Sequence, residues 1–130
     1  MREIKFRAWD KELNRICDVI QLGTKDIIVE SDEEDEISGY LPRDRFILLQ
    51  YTGFKDKNEK KIYEGQILKF YNDVDYIVKA GYAKVVYEDG AFCCKHFKYG
   101  TEYLANMDMD DMDITVVGNI YDNPELLEVK

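Results

Sequence analysis

The residues that could do chemistry in this chain are concentrated at Cys93-Cys94-Lys95-His96. Thiolates and imidazoles bind zinc, and a thiol beside an imidazole can act as a nucleophile. Neighbouring strand residues point to opposite sides of a sheet, so Cys93 and Cys94 cannot easily share one ion, and Cys17 is the only other thiol. Cys94 and His96 do share a face, either as a nucleophilic pair or as a buried thiol beside a partly covered histidine. The chain has one His, so we predict no catalytic residue and no metal site.

Aspartates form a second cluster, between Met107 and Asp113. Asp108 and Asp110 are spaced like the start of a calcium-binding loop. An EF-hand loop that begins at Asp108 needs Gly and Glu where this chain has Asp113 and Asn119. We therefore interpret the cluster as a solvated loop or a frayed helix end, with cation binding as the alternative. The sequence also lacks a phosphate-binding loop, a catalytic triad signature and a dinucleotide fingerprint, so we predict no cofactor and no enzyme activity.

A hairpin at Asp89-Gly90 is the clearest element that positions these residues. This dipeptide between apolar runs favours a two-residue turn, because both turn positions require positive φ. The resulting register predicts a core face made of Ala83, Val85, Tyr87, Phe92, Cys94 and His96. The opposite face, predicted to be exposed to solvent, carries Lys84, Val86, Cys93 and Lys95.

The segment from Gln50 to Phe70 predicts a strand, a turn and a second strand. Its centre, Lys55 to Lys61, is entirely polar and contains residues that favour turns. Gly65 interrupts the alternation of the second arm, and glycine within a strand pattern often marks a bulge or a bend. We expect the second arm to change direction at Gly65.

The rest of the chain predicts short strands, supported by ten tyrosines and six phenylalanines. Arg15 to Leu22 is compatible with a strand or a short helix. Asn123 as the N-cap and Pro124 at the first helical position predict a short C-terminal helix. The fold class is therefore mainly β with little helix. We predict a single unit over residues 1–130, in which an N-terminal sub-region 1–40 and a barrel region 41–130 could be distinguished.

The net charge of −9 makes nucleic acid an unfavourable partner, because such binding depends on basic side chains. Glu30 to Glu36 is strongly acidic and is interpreted as a solvated loop, the alternative being a tail that recruits a basic partner. Residues 41–98 are mildly basic, and aromatic residues alternate with lysines from Phe92 to Tyr99. That pattern is typical of a single-strand stacking platform. A nucleic-acid-associated barrel therefore stays as the alternative function.

The cellular setting is predicted from the same composition. The N-terminus is charged and has no apolar signal region, and the longest apolar run, Phe46 to Leu49, is far shorter than the roughly 20 residues of a spanning helix. Three cysteines do not form a disulfide framework. We expect a cytoplasmic protein with no membrane contact.

Three segments together resemble the YopX family, small proteins found mainly in tailed phages and prophages of bacteria. They are Lys5 to Asp10, Gln50 to Phe70 and Val117 to Leu127. The family often has Gly where this chain has Glu59, and Asp where it has Gln66. The resemblance implies a β-rich protein that contains an SH3-like small barrel, and it implies no biochemical activity.

We predict a non-catalytic accessory protein of a phage or prophage that acts through protein–protein contacts in the cytoplasm of its bacterial host. The expected partners are a second copy of the chain, or a phage or host protein. Trp9, Tyr51, Tyr63 and Glu64 are the first candidates for binding because they lie in the resembling segments. For Trp9 and the two tyrosines, packing in the core is the competing interpretation.

Overall fold

A computed structural model describes residues 5–31, 36–74, 77–96 and 100–127, with the side chains of residues 72–80 excepted. The chain forms two compact units, Met1–Tyr51 and Thr52–Lys130. Both consist of short strands paired in an antiparallel manner, with only brief 3-10 helices, so the mainly-β prediction is confirmed. Within the described residues neither sheet closes on itself into a barrel.

The strands of the first unit form one sheet in the order β4-β3-β2-β1-β5. Its elements are β1 (Phe6–Asp10), β2 (Arg15–Leu22), β3 (Asp26–Ser31), β4 (Leu41–Pro42), a 3-10 helix (Arg43–Arg45) and β5 (Phe46–Lys55), whose second half belongs to the next unit. One face carries the apolar core. Its buried members are Ala8, Cys17, Ile27, Val29 and Phe46.

The segment Arg15–Leu22 is a strand, which decides between the two sequence interpretations. It pairs with β1 on one side and β3 on the other, so its backbone groups are satisfied in the sheet. The pairing with β3 shifts between Val19 and Gln21. Ile20 lies at this bulge and is 50% exposed, because an extra residue in one strand turns out of the regular alternation.

The second unit contains a five-stranded sheet in the order β10-β9-β8-β7-β11. Its elements are β6 (Lys61–Tyr63), β7 (Gln66–Val74), β8 (Ile77–Glu88), β9 (Ala91–His96), β10 (Gly100–Tyr103), a 3-10 helix (Leu104–Asn106), β11 (Thr115–Asn119) and a C-terminal 3-10 helix (Pro124–Leu127). Strand β6 pairs with the second half of β5. The fully buried side chains of the core include Ile62, Leu68, Leu104 and Ile114.

The β8–β9 hairpin has the register predicted from the sequence. Asp89 and Gly90 have φ of 51° and 79°, and Val85 pairs with Cys94. Two predicted faces are wrong. Tyr87 is 56% exposed, because it lies at the tip of the hairpin, where its ring meets that of Phe92 edge-on.

Cys93 is the second correction, since it is 1% exposed although the register predicted a solvent face. Its thiol lies 3.5 Å from the carbonyl oxygen of Ala91, so this short side chain folds back onto its own hairpin. Ala83, Val85, Cys94 and His96 are buried, as predicted.

The Gln50–Phe70 segment forms the predicted strand, turn and strand. Strand β5 ends at Lys55 and β6 begins at Lys61. Gly65 has φ of 79° and separates β6 from β7, so the predicted bend is confirmed. Glu59 has φ of 65°, a left-handed conformation that Gly adopts without the cost of a Cβ.

Two other expectations concern the chain's polar segments. The predicted C-terminal helix is present as the 3-10 helix Pro124–Leu127. The side chain of Asn123, the predicted N-cap, accepts a hydrogen bond from the N–H of Asn119, at 3.2 Å, which lies outside this helix. Asp108 accepts hydrogen bonds from two N–H groups of its own exposed loop, as a solvated loop requires. The centre of the acidic Glu30 to Glu36 run, residues 32–35, lies outside the described residues.

Candidate functional site

Most of the residues nominated from the sequence lie inside the protein. Trp9 is 8% exposed, and Tyr51 and Tyr63 are each 6% exposed. Glu64 is half-buried, and burial, with a smaller contribution from the Glu64 charge, raises the pKa of Tyr121. The structure therefore places three of the four in packing positions and leaves only Glu64 partly open to solvent.

A cleft of about 290 Å³ lies beside the β9–β10 edge of the second unit. Cross-strand pairing puts Glu102 opposite Cys94 and Gly100 opposite His96, so these four residues share the face that borders the cleft. A Cβ at Gly100 would meet no atom of the described residues within 4 Å, so these residues leave the mouth open above the histidine. The ring of Phe70 forms part of the wall and meets the His96 ring edge-on at 5.5 Å.

The opposite wall of the cleft comes from the segment after β10. Leu104 is fully buried and anchors this segment in the core. The N–H of Met107 donates to the Leu104 carbonyl oxygen at 3.1 Å, and the carbonyl of Met112 accepts from the Tyr71 N–H at 2.9 Å. Both methionine side chains line the cleft, so its wall is apolar and deformable.

Glu102 is the charged group of this cleft and is held in place by two donors. One carboxylate oxygen accepts the Tyr103 N–H at 2.9 Å and the Asn106 side-chain amide at 3.3 Å. Among the described residues no cation forms an ion pair with it. The carboxylate is thus oriented beside an apolar surface without a counter-charge from the described part of the chain.

Sequence reasoning missed Glu102 and Asn106. Neither lies in a motif, and their proximity to Cys94 depends on the β9–β10 pairing and on the turn that follows. Extending the register of the predicted hairpin to β10 would place Glu102 opposite Cys94. That step requires β10 to be recognised as a strand, and its sequence gives only a weak signal for one.

The thiol of the cleft cannot serve as the nucleophile that the sequence left open. Burial, with a smaller contribution from Cys93, raises the pKa of Cys94 to about 12. A thiol with that pKa is protonated at neutral pH, and only the thiolate is a good nucleophile. All three cysteines are free and buried.

We expect native Cys94 to react with iodoacetamide at pH 7.5 at least about a hundredfold more slowly than a free thiol, because its thiolate is scarce and covered. Mass spectrometry of the alkylated peptides measures the rate, and unfolded protein, in which all cysteines should react, is the control. Fast labelling of native Cys94 with a rate midpoint near neutral pH would restore the nucleophile interpretation.

A wider and more open depression, of about 710 Å³, lies on the first unit. Phe46 and Leu48 contribute apolar surface, and Lys25 and Arg43 lie at its margin. The Arg43 guanidinium donates to the Gly23 carbonyl oxygen at 3.0 Å and is already used to hold the neighbouring turn. The cleft of the second unit is therefore the better candidate, because its charged group is held in place and has no counter-charge from the described residues.

Across residues 5–31, 36–74, 77–96 and 100–127, no group of three or more His, Cys, Asp or Glu side chains is arranged to hold a metal ion. In the same described ranges, no helix has the length and apolar character needed to cross a membrane.

Comparison with family models matches residues 5–128 to the model described as YopX protein. The chain belongs to the YopX family. None of the curated proteins compared with the chain matches it.

Two solved structures are similar to this YopX chain over almost its whole length. Protein EF1440 from Enterococcus faecalis is 28% identical, has a TM-score of 0.69, and the match covers 98% of this chain and 100% of that protein. Protein yopX from Bacillus subtilis is 23% identical, has a TM-score of 0.61, and the match covers 100% of this chain and 99% of that protein. The second likeness concerns the fold alone.

The first YopX segment ends in a buried carboxylate. Asp10 is 1% exposed and accepts two hydrogen bonds from the Arg45 guanidinium, at 2.9 and 2.8 Å. It also accepts the N–H groups of Glu12 and Leu13, which closes the turn after β1. The Arg45 hydrogen bonds are the largest cause that lowers the pKa of Asp10. This residue therefore links the β1 turn to the start of β5.

The middle YopX segment contains a second buried carboxylate. Asp56 is 5% exposed, and one of its oxygens accepts the N–H groups of Asn58 and Lys60 at 2.8 and 2.9 Å. The other oxygen accepts the Val116 N–H on β11 at 2.9 Å. Gln66 accepts the Tyr63 N–H at 2.8 Å through its side-chain oxygen. Both side chains satisfy backbone donors.

The last YopX segment is organised around Gly118 and two asparagines. Asn119 accepts the N–H groups of Tyr121 and Asp122, each at 2.9 Å, which closes the turn after β11. A Cβ at Gly118 would lie 2.4 Å from the side-chain oxygen of Asn123, so a larger residue requires the Asn123 side chain to move.

We expect Gly118→Ala to lower the free energy of unfolding by about 1–3 kcal/mol, because the new methyl group displaces Asn123 from its hydrogen bond. Thermal or urea unfolding measures the change. In the double variant Gly118→Ala/Asn123→Ala the space is free. This variant should be at most about 1 kcal/mol less stable than Asn123→Ala alone. Equal destabilisation in both backgrounds would contradict the steric explanation.

Proposed function

We propose that this YopX-family chain is an accessory protein of a phage or prophage and acts as a non-catalytic interaction module in the cytoplasm of a bacterial host. The observation that carries the proposal is the Glu102 carboxylate, held in place and without a counter-charge from the described residues, beside the apolar cleft of the second unit. Family membership supports the phage setting, through the distribution of YopX-like sequences.

The edge strand of the same sheet supports contact with a protein. Strand β10 (Gly100–Tyr103) lies at one end of the strand order, and its four residues are exposed. An exposed edge can pair with an extended segment of another chain. Tyr103 is 46% exposed on this strand, and tyrosine is enriched in protein interfaces.

The residues of the three YopX segments support the same proposal by elimination. Asp10, Asp56, Gly118 and Asn119 all hold turns or strand ends in place. These contacts give the four residues a role in the fold, which favours other parts of the surface as the place for binding.

The proposal includes an SH3-like arrangement of the second unit. The Gly65 bend and the register shift between Val116 and Gly118 are devices that curve a sheet. The hydrogen bond from the Val116 N–H to Asp56 brings the β5–β6 turn to β11. Interstrand distances from NMR that show a strongly curled sheet would support this arrangement, and a flat sheet would contradict it.

Self-association and binding to a phage or host protein can be tested in one series. Light scattering measures the oligomeric state, and affinity capture from phage-infected cells compares the wild-type chain with Glu102→Arg. Glu125→Arg, an equally large charge change at an exposed residue outside the cleft, is the matched control. We expect Glu102→Arg, but not Glu125→Arg, to fail to capture a protein that the wild-type chain captures. A strict monomer that captures the same proteins in all three forms would contradict the proposal.

Nucleic acid is the competing partner class. Lys95 of the lysine and aromatic stripe forms an ion pair with Glu88 at 2.6 Å, and residues 97–99 lie outside the described residues. A salt titration with single- and double-stranded DNA separates the two functions. Binding at low salt that weakens steeply as salt rises would favour the nucleic-acid role, and absence of binding at low salt would exclude it.

A further inference from the structure

We propose that the cleft of the second unit receives the side chain of an arginine or lysine from a partner protein, presented by an extended segment that lies along β10. This inference rests on the proposed function and specifies the chemistry of the partner. It is carried by three observations: a carboxylate that is fixed but lacks a counter-charge from the described residues, an apolar wall of side-chain size, and an adjoining edge strand.

The first observation concerns the carboxylate. Two donors, the Tyr103 N–H and the Asn106 amide, bind the same oxygen of Glu102. These bonds fix the orientation of the carboxylate before any ligand arrives and leave its second oxygen without a bond to any described residue. A preoriented carboxylate loses little conformational entropy when it binds a guanidinium or ammonium group.

The second observation concerns the wall. Phe70, Met107 and Met112 line the cleft with apolar atoms, which suit the methylene stem of a long cationic side chain. A volume of about 290 Å³ is at or below the lower end of small-molecule sites, which run from about 300 to 1,000 Å³. The cleft therefore fits one inserted side chain better than a cofactor.

The charge of the residues around the cleft determines whether a cation or an anion would bind there. Among the residues that the structure describes, the lining of the cleft includes no Lys or Arg. Lys84 and Lys95 are cross-strand neighbours in the hairpin, and they lie on the face opposite that of Val85 and Cys94. The segment that follows β10 adds the exposed carboxylates of Asp108, Asp110 and Asp111. An anionic ligand would meet repulsion here, whereas a cation would meet complementary charge.

The third observation concerns how the side chain would be presented. Glu102 lies on β10 itself, so a strand added to this edge would run directly past the cleft mouth. Alternate residues of an added strand point to the same face, and one of them would face the cleft. Gly100 itself adds no side chain to the entrance above His96.

The test is a methyl NMR titration of the full chain labelled at methionine, which has four such residues and two in the cleft wall. The probes are three capped peptides, Thr-Val-X-Val-Thr, in which X is arginine, citrulline or norleucine. Citrulline keeps the stem and most hydrogen-bonding groups of arginine but carries no charge. We expect the arginine peptide to shift the Met107 and Met112 methyl signals saturably, with a Kd at least about tenfold lower than that of the citrulline peptide.

Glu102→Gln should remove the difference between the arginine and citrulline peptides, because it removes the charge but keeps the shape. Glu125→Gln, an exposed charge change in the same unit, should leave the difference intact. Loss of the difference in both variants, or its persistence in Glu102→Gln, would overturn the assignment to Glu102.

The remaining outcomes separate this inference from the proposed function. Equal binding of the three peptides would overturn the cationic specificity and leave the interaction function standing. Binding of free propylguanidinium as tight as that of the arginine peptide would overturn the assignment to a protein partner. If no peptide shifts the methionines, the inference fails, and the interaction function is decided by the capture experiment, which depends on no chosen peptide.

Discussion

Replacing Asp56 with Ala should lower the free energy of unfolding of the second unit by about 3–5 kcal/mol. The carboxylate is buried and accepts three backbone N–H groups, from Asn58, Lys60 and Val116. Removal leaves these donors without their acceptor and weakens the attachment of the β5–β6 turn to β11, which then depends on the Lys57 N–H bond to the Ile114 carbonyl oxygen. Urea unfolding followed by far-UV circular dichroism measures the loss.

Two variants make the Asp56 result specific. Asp108 also accepts two N–H groups but is exposed, so water can replace it, and Asp108→Ala should cost less than about 1 kcal/mol. Asp56→Asn keeps one acceptor oxygen but sets an amide against a donor, and should fall between the two. Similar stability of Asp56→Ala and Asp108→Ala would contradict the assigned role of Asp56.

Replacing Arg45 with Ala should lower the free energy of unfolding of the first unit by about 3–5 kcal/mol, because it leaves the buried Asp10 carboxylate without its counter-charge. Arg45 also lies over the Phe46 ring, with 5.5 Å between the guanidinium carbon and the ring centroid. Fluorescence of Trp9, the sole tryptophan, follows the unfolding next to this pair. A loss below about 1 kcal/mol would show that the pair contributes little.

The pH dependence of this ion pair has a definite sign. Hydrogen bonds from Arg45 are the largest cause that lowers the folded-state pKa of Asp10; burial opposes them, and the N–H groups of Leu13 and Glu12 add to them. A carboxyl with a lowered folded pKa stabilises the fold fully above its unfolded pKa, about 3.9, and loses that contribution as pH falls through the folded value.

Wild-type stability should therefore fall between about pH 5 and the folded pKa of Asp10, and Asp10→Asn should be less stable at neutral pH but show a smaller fall. Asp26→Asn, an exposed change in the same unit, should reproduce the wild-type profile. Parallel profiles for wild type and Asp10→Asn would contradict the role of Asp10 in this pH dependence.

The elements set by local chemistry were predictable from the sequence. The Asp89-Gly90 turn specifies its own backbone conformation, so the β8–β9 register follows by counting. The Gly65 bend was predictable for the same reason. Tyr87 and Cys93 were assigned to the wrong environments, because alternation gives the face of a residue but not where along the strand the core ends.

The candidate site could not be predicted, because its contacts join segments that the sequence does not connect. Asp56 reaches Val116 across 60 residues of chain, and no local pattern indicates that acceptor. The Glu102 site depends on β10, a strand of four exposed residues with no apolar alternation. Trp9, Tyr51, Tyr63 and Glu64 lie in or beside the same three YopX segments, yet the residues that hold the turns there are Asp10, Asp56 and Asn119.

The central claim, that the cleft of the second unit is where this protein meets its partner, is tested most directly by site-specific photo-crosslinking in infected cells. A photoreactive residue at Ala105, an exposed position beside the cleft, is compared with one at Leu13, which is 53% exposed on the first unit. We predict a protein adduct from Ala105 that is lost in Glu102→Gln and retained in Glu125→Gln, with none from Leu13. Adducts from Ala105 that persist in Glu102→Gln, or adducts from Leu13 alone, would contradict this claim.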